Sequence, residues 1–427
     1  MSAFNVGAAV RDITPPDAWI QDGRIWLWGF GSRTEPCAGI HDRLSARALA
    51  VRDKRGDSVV LVSVDLGALD PATTASVRAR VERSHGIPGA SVCLNVTHTH
   101  GAPAVVSIPT WAVGFATADA EYVRFVEDRI VDVVTDAIRA EAPATLQFAR
   151  GRTGIAVDRH FGEPGFHDAT LDVLRVVDTH GGLIAMACFT ACHPVCLRDY
   201  NRVYTDFPGP ARTRIEQRLG GVALFFQGYT GISNPRVRDA EVISAELSED
   251  AIALCSGPMA EITGAVQGRL AAIGLPFQPL PDASILERAR GAGGIYARWE
   301  SAMAVLADRV PGELPTPIQA IRIGDGADAW ILSVSAHEVT SDLAAPIRAL
   351  RPDNRVTLLG FSNSQVSYVP SRRVLTLPAS DDPFPFCANY EGGAAFAWYG
   401  HRAPLTLDVD ERFVAGHTAL LDRSPAY

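Results

Sequence analysis

The stretch Ser91-Val92-Cys93-Leu94-Asn95-Val96-Thr97-His98-Thr99-His100-Gly101 decides how this chain is read. Its first six residues are mostly apolar and too few for a helix, so they make a buried strand, and the polar Thr-His-Thr-His-Gly sits at its carboxyl end. Val59-Val60-Leu61-Val62-Ser63-Val64 ends at Asp65 in the same way. Amphipathic stretches lie between such runs. This alternation predicts an α/β fold, a mixed β-sheet core flanked by helices. Ligands of open α/β sheets bind beyond the strand carboxyl ends, so the site is expected there.

Outward from that stretch, Tyr122, Phe125, Val126, Ile130, Val133, Val134 and Ile138 recur at helical spacing, predicting a helix from about Ala120 to Ala140 closed by Pro143. Further strands are expected at Leu183–Phe189, Val222–Phe226, Pro317–Ile323 and Trp330–Ser335. The region 275–314 is rich in Pro and Gly at both ends and reads as an insertion or lid with one helical stretch. Residues 1–427 are read as a single catalytic domain, without internal repeats.

At 47% hydrophobic and 20% charged, the composition is that of a globular chain with a large core. A formal net charge of −9 argues against nucleic acid and anionic membrane as partners, because both need clustered Lys and Arg. No run approaches the length of a membrane span, so membrane insertion is not expected. The opening Met1–Val6 carries no basic segment before an apolar one, and seven cysteines do not form a disulfide framework. A cytoplasmic protein acting on a small molecule is the expectation.

Two histidines at 98 and 100 point to one side if the backbone stays extended. They then offer either two metal ligands or one ligand and one acid/base group, the bland reading being a pair of loop histidines. Ala191-Cys192-His193-Pro194 also follows an apolar run. Cys188, Cys192 and Cys196 lack the spacing of a zinc knuckle and read as small buried hydrophobes, leaving His193 as the candidate. Glu338, in Ser335-Ala336-His337-Glu338, reads as a helix-capping carboxylate or a ligand, and in isolation as a cap. The Tyr368 and Tyr390 segments carry little signal by themselves. Phe226-Gln227-Gly228-Tyr229-Thr230-Gly231-Ile232-Ser233-Asn234-Pro235 is a strand entering a glycine-rich turn. It contains no Gly-x-Ser-x-Gly elbow, so Ser233 is not a nucleophile on that ground, and no P-loop.

Taken in order, these segments resemble the neutral, non-lysosomal ceramidase family. The resemblance runs through Val6-Gly7 with Asp12-Ile13-Thr14, Gly39-Ile40-His41-Asp42-Arg43-Leu44, Ser63-Val64-Asp65-Leu66-Gly67 and Thr97-His98-Thr99-His100. It continues through Cys192-His193-Pro194, Thr205-Asp206-Phe207-Pro208-Gly209, the Gly231–Pro235 turn and Tyr390-Glu391-Gly392. It implies a zinc ion held by His98, His193, Glu338 and Tyr368, with His100 as acid/base group and Arg159 and Tyr390 stabilising an oxyanion. Two departures stand out. Asn234 occupies the place of the family's essential serine, and the chain ends at Tyr427 without the family's C-terminal β-sandwich.

These departures point to a relative that keeps the zinc centre but takes a small soluble substrate. The implied reaction is cleavage of an amide, lactone or ester bond by metal-activated water, with Asn234 hydrogen-bonding the substrate. Two rivals remain: a zinc-dependent lyase or isomerase acting on a polyol or keto-sugar, and a non-catalytic metal-stabilised binding protein. Asp65 and Asp206 read either as carboxylates that orient ligands or as loop caps. Trp19, Trp26, Trp28 and Phe30 read either as pocket lining or as packing. Substrate identity and oligomeric state are left open.

Overall fold

The computed structural model describes residues 4–31, 33–106, 118–160, 165–198, 200–306, 309–352, 355–377 and 389–422. The chain opens with β1 (Phe4–Asp12), a short helix α1 (Asp17–Gln21), β2 (Ser45–Arg52), β3 (Ser58–Val64), α2 (Pro71–His85), β4 (Val92–Val96) and α3 (Ala120–Arg139). Next come β5 (Ala142–Arg152), β6 (Ala156–Asp158), β7 (Thr170–Asp178), β8 (Leu183–Thr190), α4 (Pro208–Leu219), β9 (Val222–Gln227), β10 (Ser233–Pro235), α5 (Ala240–Ser256) and β11 (Ala260–Ile262). The remainder runs β12 (Val266–Pro276), α6 (Ala283–Ala292), α7 (Gly294–Leu306), β13 (Glu313–Ile323), β14 (Trp330–Ser335) and β15 (Glu338–Val339). It closes with α8 (Ala344–Arg348), β16 (Arg355–Leu359), β17 (Tyr368–Val369), α9 (Arg372–Leu375), α10 (Ala395–Trp398) and α11 (Val409–Asp422).

Two sheets form the core. The larger is ordered β4-β3-β2-β1-β5-β7-β8-β9, with β11 added to β5. It is mixed, since β3/β4 and β8/β9 pair in parallel while the other neighbours are antiparallel. The smaller is ordered β12-β13-β14-β16, with β14/β16 parallel. Strand periodicity explains why they stack. In β3, Val60, Val62 and Val64 face α2 and α3, whereas Val59 and Leu61 face the second sheet. Every residue of β3 is buried, and each large apolar side chain so covered contributes roughly 1.5–3 kcal/mol. Between the sheets, Phe189 stacks on Phe226 at 4.9 Å and meets Trp330 edge-on at 5.3 Å. Helices α4 and α5 cover β7–β9, and α8 and α11 cover the outer face of the second sheet. The fold is the expected α/β arrangement of a mixed sheet core with flanking helices.

The predicted helix is α3. Asp119 caps it by accepting from the backbone N–H groups of Glu121 and Tyr122, and Tyr122, Val126, Ile130, Val133 and Val134 are buried. In the 275–314 region, Leu275 pairs with Leu314 across the β12/β13 hairpin, and two helices rather than one lie between them. Gly293, at φ +70°, divides α6 from α7, a left-handed turn that a helix cannot pass through. The Cys188, Cys192 and Cys196 side chains are buried in the apolar cluster under α4 and α5. Among the described residues, no helix is long and apolar enough to cross a membrane.

Candidate metal centre

Two strand ends and two small ribbons build one site. His98 lies just beyond β4 and His193 just beyond β8. Ribbon β6/β10 pairs Val157 with Asn234, and Arg159 N–H donates to the Ile232 carbonyl at 2.9 Å, so Arg159 and Asn234 arrive together. Ribbon β15/β17 pairs Glu338 with Tyr368. The ribbons are tied by Gly231 N–H to the Val339 carbonyl (2.9 Å), and His193 N–H donates to the Ser233 carbonyl (3.0 Å).

The segments bearing His98 and His193 are clipped by one buried amide that the motif reading missed. Gln227 Nε2 donates to the carbonyls of Thr97 (3.1 Å) and Cys192 (2.8 Å), and its Oε1 accepts from Cys192 N–H (3.3 Å). Asn95 plays a matching part: its Oδ1 accepts from Gln227 N–H, and its Nδ2 donates to the Gly360 carbonyl at 2.8 Å. The signal was present, since both are amides interrupting apolar runs.

The backbone does not stay extended through the histidine pair. His98 has φ +63°, a left-handed conformation at a non-glycine residue, and Phe361 beneath its ring has φ +48°. Such positions cost about 1–3 kcal/mol each and cluster at functional sites. The turn nevertheless brings the rings together. His100 Nε2 lies 3.2 Å from His98 Nε2 and 3.3 Å from His193 Nε2. Nitrogens on a tetrahedral zinc at 2.0–2.1 Å are about 3.3 Å apart, so this spacing fits one ion.

The three rings are supported differently. His98 Nδ1 donates to the Gly67 carbonyl, which leaves Nε2 as a lone-pair donor facing the site. A Cβ on Gly67 would lie 2.0 Å from the Trp28 ring, so only glycine brings that carbonyl in. His193 Nδ1 faces the Thr230 backbone but is buried without a hydrogen-bond partner. His100 has no hydrogen-bond partner at Nδ1 and packs against Phe30 at 4.6 Å. Gly29, at φ +101°, permits this approach, because a Cβ there would strike the His100 ring at 2.3 Å. Burial pushes the His98 imidazole down to about 3, and burial with the neighbouring imidazoles holds His100 and His193 well below the usual range. All three are neutral near pH 7, the state that binds metal.

Glu338 supplies the oxygen side. It is not a helix cap: Oε1 accepts from Gln365 Nε2 (2.7 Å) and Tyr399 OH (3.0 Å). Its Oε2 is buried without a hydrogen-bond partner, 3.6 Å from His98 Nε2. Burial pushes this carboxyl up to about 7. Three clustered imidazole nitrogens, with an orphaned buried carboxylate oxygen 3.6 Å from one of them, fit a divalent cation. Tyr368 is buried, and burial raises its phenol well above the usual range. Arg159 pairs with the buried Glu391, its guanidinium 5.9 Å from the rings of both Tyr368 and Tyr390. Tyr390 lies 40% exposed at the start of a single π turn.

All eight residues singled out from the sequence (His98, His100, Arg159, His193, Asn234, Glu338, Tyr368 and Tyr390) line one cavity of about 330 Å³. Trp28 and Phe30 also line it, whereas Trp19 and Trp26 pack against the core under α3. Arg198, Arg238, Trp398 and Tyr399 were not anticipated there. Neither aspartate lines the cavity. Asp65 is buried in a two-pronged ion pair with Arg212 (2.9 and 2.7 Å), and Asp206 accepts from the N–H groups of Leu197 and Phe207.

Residues 4–239 match the sequence profile described as neutral/alkaline non-lysosomal ceramidase, N-terminal. A neutral ceramidase of Drosophila melanogaster is 26% identical over 221 residues, 48% of this chain and 31% of that protein. Neutral ceramidase 2 of Arabidopsis thaliana is 30% identical over 103 residues, 24% of this chain and 13% of that one. The chain thus spans less than a third of the length of these curated relatives. The crystal structure of neutral ceramidase from Pseudomonas aeruginosa superposes on all of this chain and 76% of its own, with a TM-score of 0.77 and 20% identity. The profile match contains His98, His100, Arg159, His193 and Asn234, and the structural match extends over Glu338, Tyr368 and Tyr390. This chain belongs to the neutral/alkaline non-lysosomal ceramidase family.

Proposed function

We propose that the protein is a zinc-dependent hydrolase that cleaves an amide, lactone or ester bond of a small substrate with metal-activated water. The observation that carries this reading is the convergence of the His98, His100 and His193 nitrogens in an aromatic-walled cavity, with the unpartnered Glu338 Oε2 3.6 Å from His98 Nε2. The relatives are named neutral ceramidases, which favours an amide among the three bonds.

His98, His193, Glu338 and Tyr368 would hold the ion. Bound there, zinc supplies a water whose pKa falls to about 7 and polarises the substrate carbonyl. His100 is assigned proton transfer to the leaving group, as the family resemblance implies: its Nε2 stands 3.2 and 3.3 Å from those of His98 and His193, and it packs against Phe30 at the cavity wall. Arg159, oriented by Glu391, and the Tyr390 hydroxyl donate to the developing oxyanion. Trp28, Phe30 and Trp398 exclude bulk water. Asn234 places the substrate through its amide. Among the described lining residues there is no Ser, Thr or Cys, and the Ser233 hydroxyl is bonded to that of Ser341 at 2.6 Å. This supports attack by water rather than by a side chain.

The test is turnover of amide, lactone and ester probes by the zinc-loaded protein in heavy-oxygen water. One solvent oxygen appears in the acid product if the reading holds. Products without solvent oxygen are the outcome of a lyase or isomerase, and absence of turnover is the outcome of a binding protein.

A further inference from the structure

The charge of the cavity is opposite to that of the chain. The protein has a formal net charge of −9, yet among the described residues the cavity wall carries Arg159, Arg198 and Arg238 against one carboxylate, Glu338. Arg159 is balanced by Glu391, which lies outside the wall. Arg198 and Arg238 are exposed and have no ion-pair partner among the described residues. The acidic side chains nearest to Arg238 in sequence are engaged elsewhere: Asp239 caps α5, and Glu241 pairs with Arg214.

Both arginines lie close in sequence to residues of the site. Arg198 follows His193 by five residues and Arg238 follows Asn234 by four. The backbone bond from His193 N–H to the Ser233 carbonyl fixes these two segments side by side. Two unpaired guanidinium forks on one wall, in an otherwise acidic molecule, focus a positive field on the cavity and match planar oxyanions.

We infer that the substrate carries a carboxylate, sulfate or phosphate group, held by Arg198 and Arg238, while its apolar part lies against Trp28, Phe30 and Trp398. This deepens the hydrolase reading and rests on the same cavity being the substrate site. The substrate class is then an acylated small molecule with an anionic end, such as an N-acyl amino acid.

The experiment compares two probes, N-phenylacetylglycine and its uncharged carboxamide, by titration calorimetry on the zinc-loaded protein and on the Arg198→Gln/Arg238→Gln variant. Both substitutions are at exposed positions, and circular dichroism and zinc content confirm that the variant is folded and loaded. The wild type is expected to bind the carboxylate at least about tenfold more tightly than the carboxamide, as two charge-assisted contacts permit, and the variant to lose that preference. Equal affinities, no measurable binding of the carboxylate, or a preference retained by the variant each overturn the inference, the last because the anion then rides on the metal. Turnover of the same probes keeps the two readings apart. Preferential binding without hydrolysis removes the hydrolase and leaves the anion site, whereas hydrolysis without preference does the reverse.

Discussion

Oε2 of Glu338 lies 3.6 Å from Nε2 of His98, and no hydrogen-bond donor among the described residues satisfies it. The two residues are 240 positions apart and belong to different sheets, one following β4 and the other following β14. Leaving a buried carboxylate oxygen unpaired costs several kcal/mol unless a cation completes it, so this contact organises the predictions below.

His193→Ala should abolish stable zinc binding, because it removes one of the nitrogens on which the ion rests. Elemental analysis of the purified variant reads this directly. In the wild type, chelation should lower thermal stability reversibly, by about 2.7 kcal/mol for a zinc concentration a hundredfold above its dissociation constant. The variant should show no such shift. Full zinc occupancy in His193→Ala would remove His193 from the donor set.

His100→Ala should retain zinc and lose activity by about 10²–10⁴-fold, the usual contribution of a general acid or base. The spacing of 3.2 and 3.3 Å to the other two nitrogens makes this a sharp test. Zinc lost along with activity would place His100 among the ligands instead.

Asn234→Ala should raise KM more than it lowers kcat, with a total loss of roughly 1–3 kcal/mol for a missing hydrogen bond in a buried site. Rapid-quench kinetics should show no burst, because none of the described lining residues is a Ser, Thr or Cys that could form an acyl-enzyme. A substrate-derived adduct found on any residue by mass spectrometry would contradict direct attack by water.

Gln227→Ala should destabilise the fold by about 3 kcal/mol in urea titrations, because it strands the carbonyls of Thr97 and Cys192 and the Cys192 N–H in the interior. Gln227→Glu should fare no better, since a carboxylate cannot donate to two carbonyls. Both should also weaken zinc affinity by loosening the segments that end in His98 and His193. A stability change below about 0.5 kcal/mol would show that the amide is not the clip described.

Much of the core was legible because β3, β4, β8, β9 and β14 are covered on both faces and read as mostly apolar runs. Strands β5 and β12 were not legible, because partly exposed Gln147 and Arg150, or Gln267 and Arg269, interrupt their patterns. The histidines announced themselves at strand ends. Glu338 and Tyr368 did not, since their neighbourhood depends on a two-residue parallel pairing between segments 30 positions apart. The left-handed turn at His98 also leaves no mark in a pattern read for strands, because it is imposed by the tertiary contacts to Gly67 and Phe361. Arg198 and Arg238 stand in segments whose only local signal was the neighbouring histidine or turn, and the cavity alone brings them together.

The most direct test of the account is an anomalous difference map from crystals of the zinc-loaded protein, measured on both sides of the zinc absorption edge. The account predicts one peak per chain, within bonding distance of Nε2 of His98, Nε2 of His193 and Oε2 of Glu338, and its disappearance in His193→Ala. A map without that peak, or a peak that Glu338 does not touch, would contradict it.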